Sequence, residues 1–541
     1  MKINIIRAIL GITFVFTSCA STLETPPVPV YSDIRTMSIK LNQAQQTIDG
    51  FGASDAWRCQ MVGKYWPEAK KNAIADLLFS KEVDEKGNPK GIGLSIWRFY
   101  LGAGSMEQGP ESDISDEWRR AECFQAVDGT YDWQKQEGQR WFLQAARQRG
   151  VEKFLAFTIS APVHMTLNGK AFSSQKQNMN IKADMMPAYA DFLVDCIDSL
   201  QKNEKVTFDY LSPVNEPQWD WMVGDNGKAS QEGTPATNEE IYQLTSLLSE
   251  RLHERGLTTK IALGEAGSIN YLYEDVNSET RDNQIDDFWK TSSPLSIASL
   301  PNVENVITGH SYFSVWPVND QVQYRQKLNA KVKQYPDLKY WQTEYCVLEN
   351  AGESELPGGG GGQRDLGMKT AIFVARIIHN DLVVANASSW QWWTSLTRAD
   401  YKDGLIYLDD GNSSGSQSPE YCKKDGYARP SKLMWALGNY SRFVRPGMKR
   451  IEVENQNPVQ AATDVMISAY KDIATKKLVI VAINAGEEER TYRLDIDGEL
   501  KNKTLTPYIT SESSDLEKGE AVAIDSIIIP GKSIVSYIGE F

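Results

Sequence analysis

Between residues 50 and 393, short apolar runs alternate with longer segments of helical spacing, and this alternation restricts the fold more than any other feature. Eight strand-like runs stand at 50–55, 93–100, 154–159, 206–210, 260–264, 306–313, 339–345 and 387–393. Most lead into a stretch whose apolar residues recur every three or four positions, as at 68–79, 141–149, 186–200, 239–255 and 366–379. Parallel neighbours need a crossover of about a dozen residues or more, and a helix supplies it. Eight such units predict an α/β chain closed into a (β/α)8 TIM barrel, with its working face at the C-terminal strand ends.

A chain of 541 residues is too long for that core alone. After about residue 433 the helical spacing fades. Short alternating runs follow at 462–470, 477–484, 490–495, 505–510, 521–529 and 533–538, with turn residues between them. These predict an appended all-β sandwich side domain. The early run at 34–48 has no place in the barrel and is assigned to the sandwich, so the expected division is 49–436 for the barrel and 33–48 plus 437–541 for the sandwich.

The first residues are read as processing signals. Lys2 and Arg7 precede an apolar run from 8 to 16, and Thr17-Ser18-Cys19 follows. This resembles a bacterial lipoprotein signal, which implies residues 1–19 as signal peptide and acylation of Cys19. Residues 20–32, with Pro26, Pro27 and Pro29, are a tether. The expectation is an exported protein, lipid-anchored to the cell envelope on the periplasmic or surface face of the outer membrane. Five cysteines remain, an odd number, so one or two disulfides would still leave a free thiol.

Composition excludes some partners. A net charge of −14 argues against nucleic acid. Only four histidines are present, none in a zinc-ligand spacing, so no metal and no cofactor is expected. The 15 tryptophans and 23 tyrosines exceed what a core needs and suit stacking on sugar rings. Nothing calls for an oligomer, and a monomer is expected.

Two stretches carry the chemistry. Ser212-Pro213-Val214-Asn215-Glu216-Pro217 ends the fourth strand, and Tyr340-Trp341-Gln342-Thr343-Glu344-Tyr345 ends the seventh. A β/α barrel brings distant strand ends to one mouth, so Glu216 and Glu344 are candidates for a carboxylate pair. The bland reading makes each a strand-end carboxylate that caps the next turn, and Glu265, at the end of the fifth strand, is read in that bland way.

In order along the chain stand Gly50-Phe51-Gly52, Ile96-Trp97-Arg98, the Asn215-Glu216 and Thr343-Glu344 stretches, and 437–447. With these landmarks the chain from about Ile34 to its C-terminus resembles glycoside hydrolase family 30, retaining glycosidases on β/α barrels. The resemblance implies Glu216 as general acid/base, Glu344 as nucleophile, and Asn215 as the amide that binds the 2-hydroxyl of the sugar. It further implies that Asp55 and Trp393 line the terminal sugar subsite, that Arg98 lies near the nucleophile, and that His310 and Tyr312 follow the sixth strand; Trp57 is counted with them and His164 as substrate-binding. One departure is visible: where the family often has Ser-Pro-x-Trp-Met, this chain has 160–165 with His164, which is read as replacing a platform tryptophan.

The expected substrate is a β-linked polysaccharide or oligosaccharide. The stretches 52–59 and 98–102 resemble the branch that cleaves β-1,6-galactan, and endo-β-1,6-galactanase is the leading expectation. β-1,6-Glucanase, xylanase and glucosylceramidase-like activities are the alternatives within the family. A non-catalytic surface glycan-binding lipoprotein is the alternative of another class.

Overall fold

In the computed structural model, which describes residues 34–276, 280–348, 356, 359–412, 417–454 and 456–541, the first strand, β1 (Arg35–Thr47), stands apart from the eight that follow. Those eight close a parallel barrel: β2 (Gly50–Ser54), β3 (Ile96–Leu101), β4 (Lys153–Thr158), β5 (Tyr210–Ser212), β6 (Lys260–Ala266), β7 (Val303–His310), β8 (Lys339–Glu344) and β9 (Ser389–Trp392). The last pairs back onto the first, with Phe51 against Trp390 and Ala53 against Trp392. The eight runs expected from sequence are these eight strands. Helices Glu68–Phe79, Glu137–Gln148, Met186–Glu204, Asn238–Glu254 and Met368–Val383 lie where helical spacing placed them, within a few residues.

Local chemistry fixes several of these boundaries. Thr237 and Glu240 form a reciprocal capping box at the start of Asn238–Glu254, and Gly256, at φ 63°, follows its end. Trp390 and Trp392 share one face of β9 and both turn outward. Their indole N–H groups donate to Asp381 Oδ2 and to the Asp403 carbonyl, each at 2.8 Å.

The C-terminal strands and β1 form one curled ten-stranded sheet rather than two separately bonded layers. β1 is antiparallel to Lys449–Val453 and parallel to Arg490–Ile496. Pleating divides its residues between two cores. Ile467, Leu478, Ile480 and Ala482 pack with Ile39 and Tyr537 inside the curl. Met466, Tyr470, Val479, Val481 and Ile483 face the other way and join the core of the barrel. Ser536 Oγ donates to the Asn439 carbonyl at 2.7 Å, on helix Lys432–Ser441, tying sheet to barrel.

Sequence reading missed the strand Lys449–Val453, helix Val318–Val332, and a three-stranded sheet of Thr394–Thr397, Gly404–Asp409 and Tyr427–Pro430. Disulfides do not form among the described cysteines: Cys59, Cys123, Cys196, Cys346 and Cys422 are separate buried thiols. No helix among the described residues is long and apolar enough to cross a membrane. The signal segment, Cys19 and the tether lie outside the described residues.

Candidate active site

At the C-terminal ends of the barrel strands a cleft of about 490 Å³ opens, with Trp57, Glu216, Tyr312, Glu344 and Trp393 in its wall. Glu344 is the last residue of β8. Glu216 lies four residues past β5, in a left-handed conformation at φ 45°. Its N–H donates to the Glu265 carbonyl at 2.8 Å, and its own carbonyl accepts from Trp219 N (3.1 Å) and Trp221 Nε1 (3.0 Å). Those bonds turn the Glu216 side chain inward.

The two carboxylates face each other. Carboxylate oxygens of Glu216 and Glu344 and a ring nitrogen of His310 all lie within 4.8 Å of one another. His310 closes β7, and its Nδ1 is 2.9 Å from Glu216 Oε1 and 3.7 Å from Glu344 Oε1. Arg98, wholly buried in β3, donates Nη1 to Glu344 Oε2 at 3.0 Å, and the Tyr312 hydroxyl donates to Glu344 Oε1 at 3.1 Å. Beneath them Glu265 accepts from Arg98 Nη2 at 3.2 Å and from His310 Nε2 at 2.7 Å. Both imidazole nitrogens are therefore engaged by carboxylates.

These contacts set the charges. Burial pulls the His310 imidazole down, but Glu344, Glu216 and Glu265 outweigh it and push it up to about 10. Burial pushes Glu265 up, and Arg98, His310 and Thr343 outweigh that and hold it down at about 2. Burial also raises the Glu344 carboxyl, with His310 and Arg98 opposing and the Glu216 charge adding to the rise. Three carboxylates then face two cations, and a single proton shared by Glu216 and Glu344 makes the cluster neutral.

The remaining expected residues divide. Asn215 is buried beside Glu216, and its Oδ1 has no hydrogen-bond partner in the protein. Trp57 and Trp393 meet edge to face at 5.1 Å and form one corner of the cleft. Asp55 does not line the cleft: it is fully enclosed, and its Oδ1 accepts from Tyr100 N at 2.9 Å. Nor does His164 replace a platform ring there. The 162–165 turn aims it at Gln125 Oε1, 3.1 Å away, in a separate depression beside Cys123 and Phe124.

The cleft also holds residues that sequence reading did not assign, among them Arg119, Gln231, Phe313, Tyr401 and Asp403. Gln231, Tyr401 and Asp403 sit on loops where spacing gives no signal, Arg119 ends a short 3-10 helix, and Phe313 follows the end of β7. Trp219 and Trp221, on the loop after Glu216, also line it. Trp219 lies so close over Gly267 that an added Cβ would meet its Nε1 at 2.3 Å.

Comparison with known proteins places this geometry. The family model of O-glycosyl hydrolase family 30 matches residues 34–407. The crystal structure of a conserved exported protein from Bacteroides fragilis is 35% identical, with a TM-score of 0.85 over 93% of this chain and 100% of that one. The glucuronoxylanase XynC of Bacillus subtilis is 26% identical over 99% of each chain. The catalytic domain of a family 30 xylanase C from Talaromyces cellulolyticus shares the fold at 20% identity and a TM-score of 0.66, over 94% of this chain and 100% of that one.

Proposed function

The chain belongs to O-glycosyl hydrolase family 30, and on that premise we propose that it is a retaining endo-β-1,6-galactanase in which Glu344 is the nucleophile and Glu216 the general acid/base. The observation that carries the mechanism is the approach of the two carboxylates to within 4.8 Å. Retaining hydrolysis needs carboxyl groups about 5–5.5 Å apart, whereas inversion needs room for a water at about 6.5–9.5 Å.

Glu344 attacks the anomeric carbon as Glu216 gives its proton to the departing glycosidic oxygen, forming a glycosyl-enzyme ester. Glu216, now ionised, takes a proton from water, which attacks the same carbon and releases Glu344. Donor count supports this assignment. Glu344 receives Arg98 and the Tyr312 hydroxyl as well as the field of His310, while Glu216 has one close cationic donor. The resemblance assigns Asn215, whose buried amide oxygen has no hydrogen-bond partner in the protein, to a sugar hydroxyl.

The polymer is a polysaccharide by family, and the motifs at 52–59 and 98–102 support β-1,6-galactan among its members. Trp57, inside the first motif, contributes to the aromatic corner of the cleft. We take 49–436 as the catalytic unit, with 34–48 and 437–541 as its support. The exported Bacteroides fragilis relative and the lipoprotein-like start support export with acylation at Cys19, and the protein acts as a monomer.

Reducing-sugar release from purified β-1,6-galactan, β-1,6-glucan and xylan tests the reading. Galactan should be cut, and Glu344→Gln should lower turnover by about a thousandfold or more. Cleavage of β-1,6-glucan with galactan left intact would reject the linkage. Retention of glycan on an affinity gel with no turnover by the wild type would reject hydrolysis.

A further inference from the structure

Glu265 has no exposed surface and reaches no part of the cleft, yet both cations of the site depend on it. Its Oε2 accepts from Arg98, His310 and Thr343 Oγ1, the last at 2.9 Å, and its Oε1 accepts from Ser212 Oγ at 3.0 Å. Its N–H donates to Thr308 Oγ1 at 2.8 Å, and its carbonyl holds the N–H of Glu216. The backbone is shaped for this. Glu265 lies at φ 47°, and the preceding Gly264, at φ 126°, is so close to β7 that a Cβ would meet the Thr308 carbonyl oxygen at 2.3 Å. A carboxylate that merely capped a turn would need none of this.

We propose that Glu265 is a positioning residue that keeps His310 an imidazolium and thereby fixes the single proton shared by Glu216 and Glu344. The proposal rests on the reading of that pair as the hydrolytic dyad. His310 is faced by Glu216 from the loop after β5, by Glu265 from β6 and by Glu344 from β8. The Tyr312 ring lies 5.8 Å from it, and Arg98 reaches Glu265 and Glu344 from β3. Tyr340 is the further ionisable side chain that senses Glu265, and Cys346 lies beyond the Tyr312 hydroxyl. With Glu265 charged, these groups are neutral overall when Glu216 and Glu344 hold one proton between them. Without that charge, neutrality requires either that both cleft carboxylates ionise or that His310 gives up its proton. Either change removes a proton from the cluster at a lower pH than in the wild type.

The test is ring-nitrogen NMR of the four histidines in full-length wild type, Glu265→Gln and Glu265→Asp, with the pH profile of kcat/KM measured on each. His310 should remain imidazolium through neutral pH in the wild type. In Glu265→Gln its titration, and with it the basic limb of the profile, should move down by about one pH unit or more. Glu265→Asp, which keeps the charge, should restore the limb. A profile in Glu265→Gln that is only scaled down, with the His310 titration unmoved, would overturn the proposal. If Glu265→Gln does not fold, the wild-type spectrum still decides: a neutral His310 at pH 7 overturns it. A wild type that cleaves no glycan but shows the expected His310 shift would defeat the hydrolase reading and leave the role of Glu265 standing.

Discussion

Tyr312 and Arg98 both bond Glu344, but they differ in kind. Arg98 supplies a full charge, and Tyr312 supplies one neutral donor at 3.1 Å. A hydrogen bond to a charged group contributes about 1.5–3 kcal/mol, so Tyr312→Phe should lower kcat by about tenfold or more and leave KM nearly unchanged. Steady-state kinetics on galacto-oligosaccharides checks this. The same residues set how stability depends on pH. Glu265 is held at about 2 in the fold against an ordinary 4.5, so its contribution is present above about pH 4.5 and is lost as pH falls toward 2. His310 is raised to about 10 from 6.5, so its contribution is full below about pH 6.5 and is lost as pH rises through 10. Urea unfolding across pH should show both slopes, and Glu265→Gln should flatten the acid one. Glu216 and Glu344 were legible because each stands in a motif at or just past a strand end. Glu265 also ends a strand, yet its bonds come from residues on four other strands or strand ends, and no local spacing encodes that convergence.

At the scale of elements, the barrel was legible because each strand is a short apolar run followed by helical spacing. What escaped was of two kinds. Helix Val318–Val332 is polar over much of its length, so its apolar face is thin. The strand Lys449–Val453 is short and pairs with β1, far away in the chain, and the three-stranded sheet after β9 is built of short strands of four to six residues. The closure of the barrel is a further long-range fact. At the N-terminal end of the strands, Asp49 Oδ2 accepts from Trp341 Nε1 (2.8 Å), Ser388 Oγ (2.7 Å) and Lys339 Nζ (3.0 Å), joining the start of β2 to β8 and β9. Asp49→Ala strands two buried donors and should destabilise the fold by about 2 kcal/mol. Because the cleft lies at the opposite end, kcat/KM should stay within about twofold of the wild type. Thermal melts and kinetics on one preparation separate these effects.

At the scale of the molecule, barrel and side sheet share a continuous apolar core, since one face of the sheet packs on helices Met368–Val383 and Lys432–Ser441. Calorimetry should therefore show one cooperative transition, and removal of residues 34–47 should destabilise the whole chain by exposing the core that holds Met37, Ile39 and Leu41. The expected support role of the first strand was readable only by elimination, because its partners lie about 400 residues away (Ile39 against Val453). All of this architecture serves one gap between two carboxylates. Proton NMR of the first-formed product, recorded before mutarotation, tests that gap most directly. If Glu344 attacks the sugar itself, the newly freed reducing end of a β-linked glycan appears first as the β-anomer; an α-anomer appearing first would mean that water attacks directly and would contradict the account.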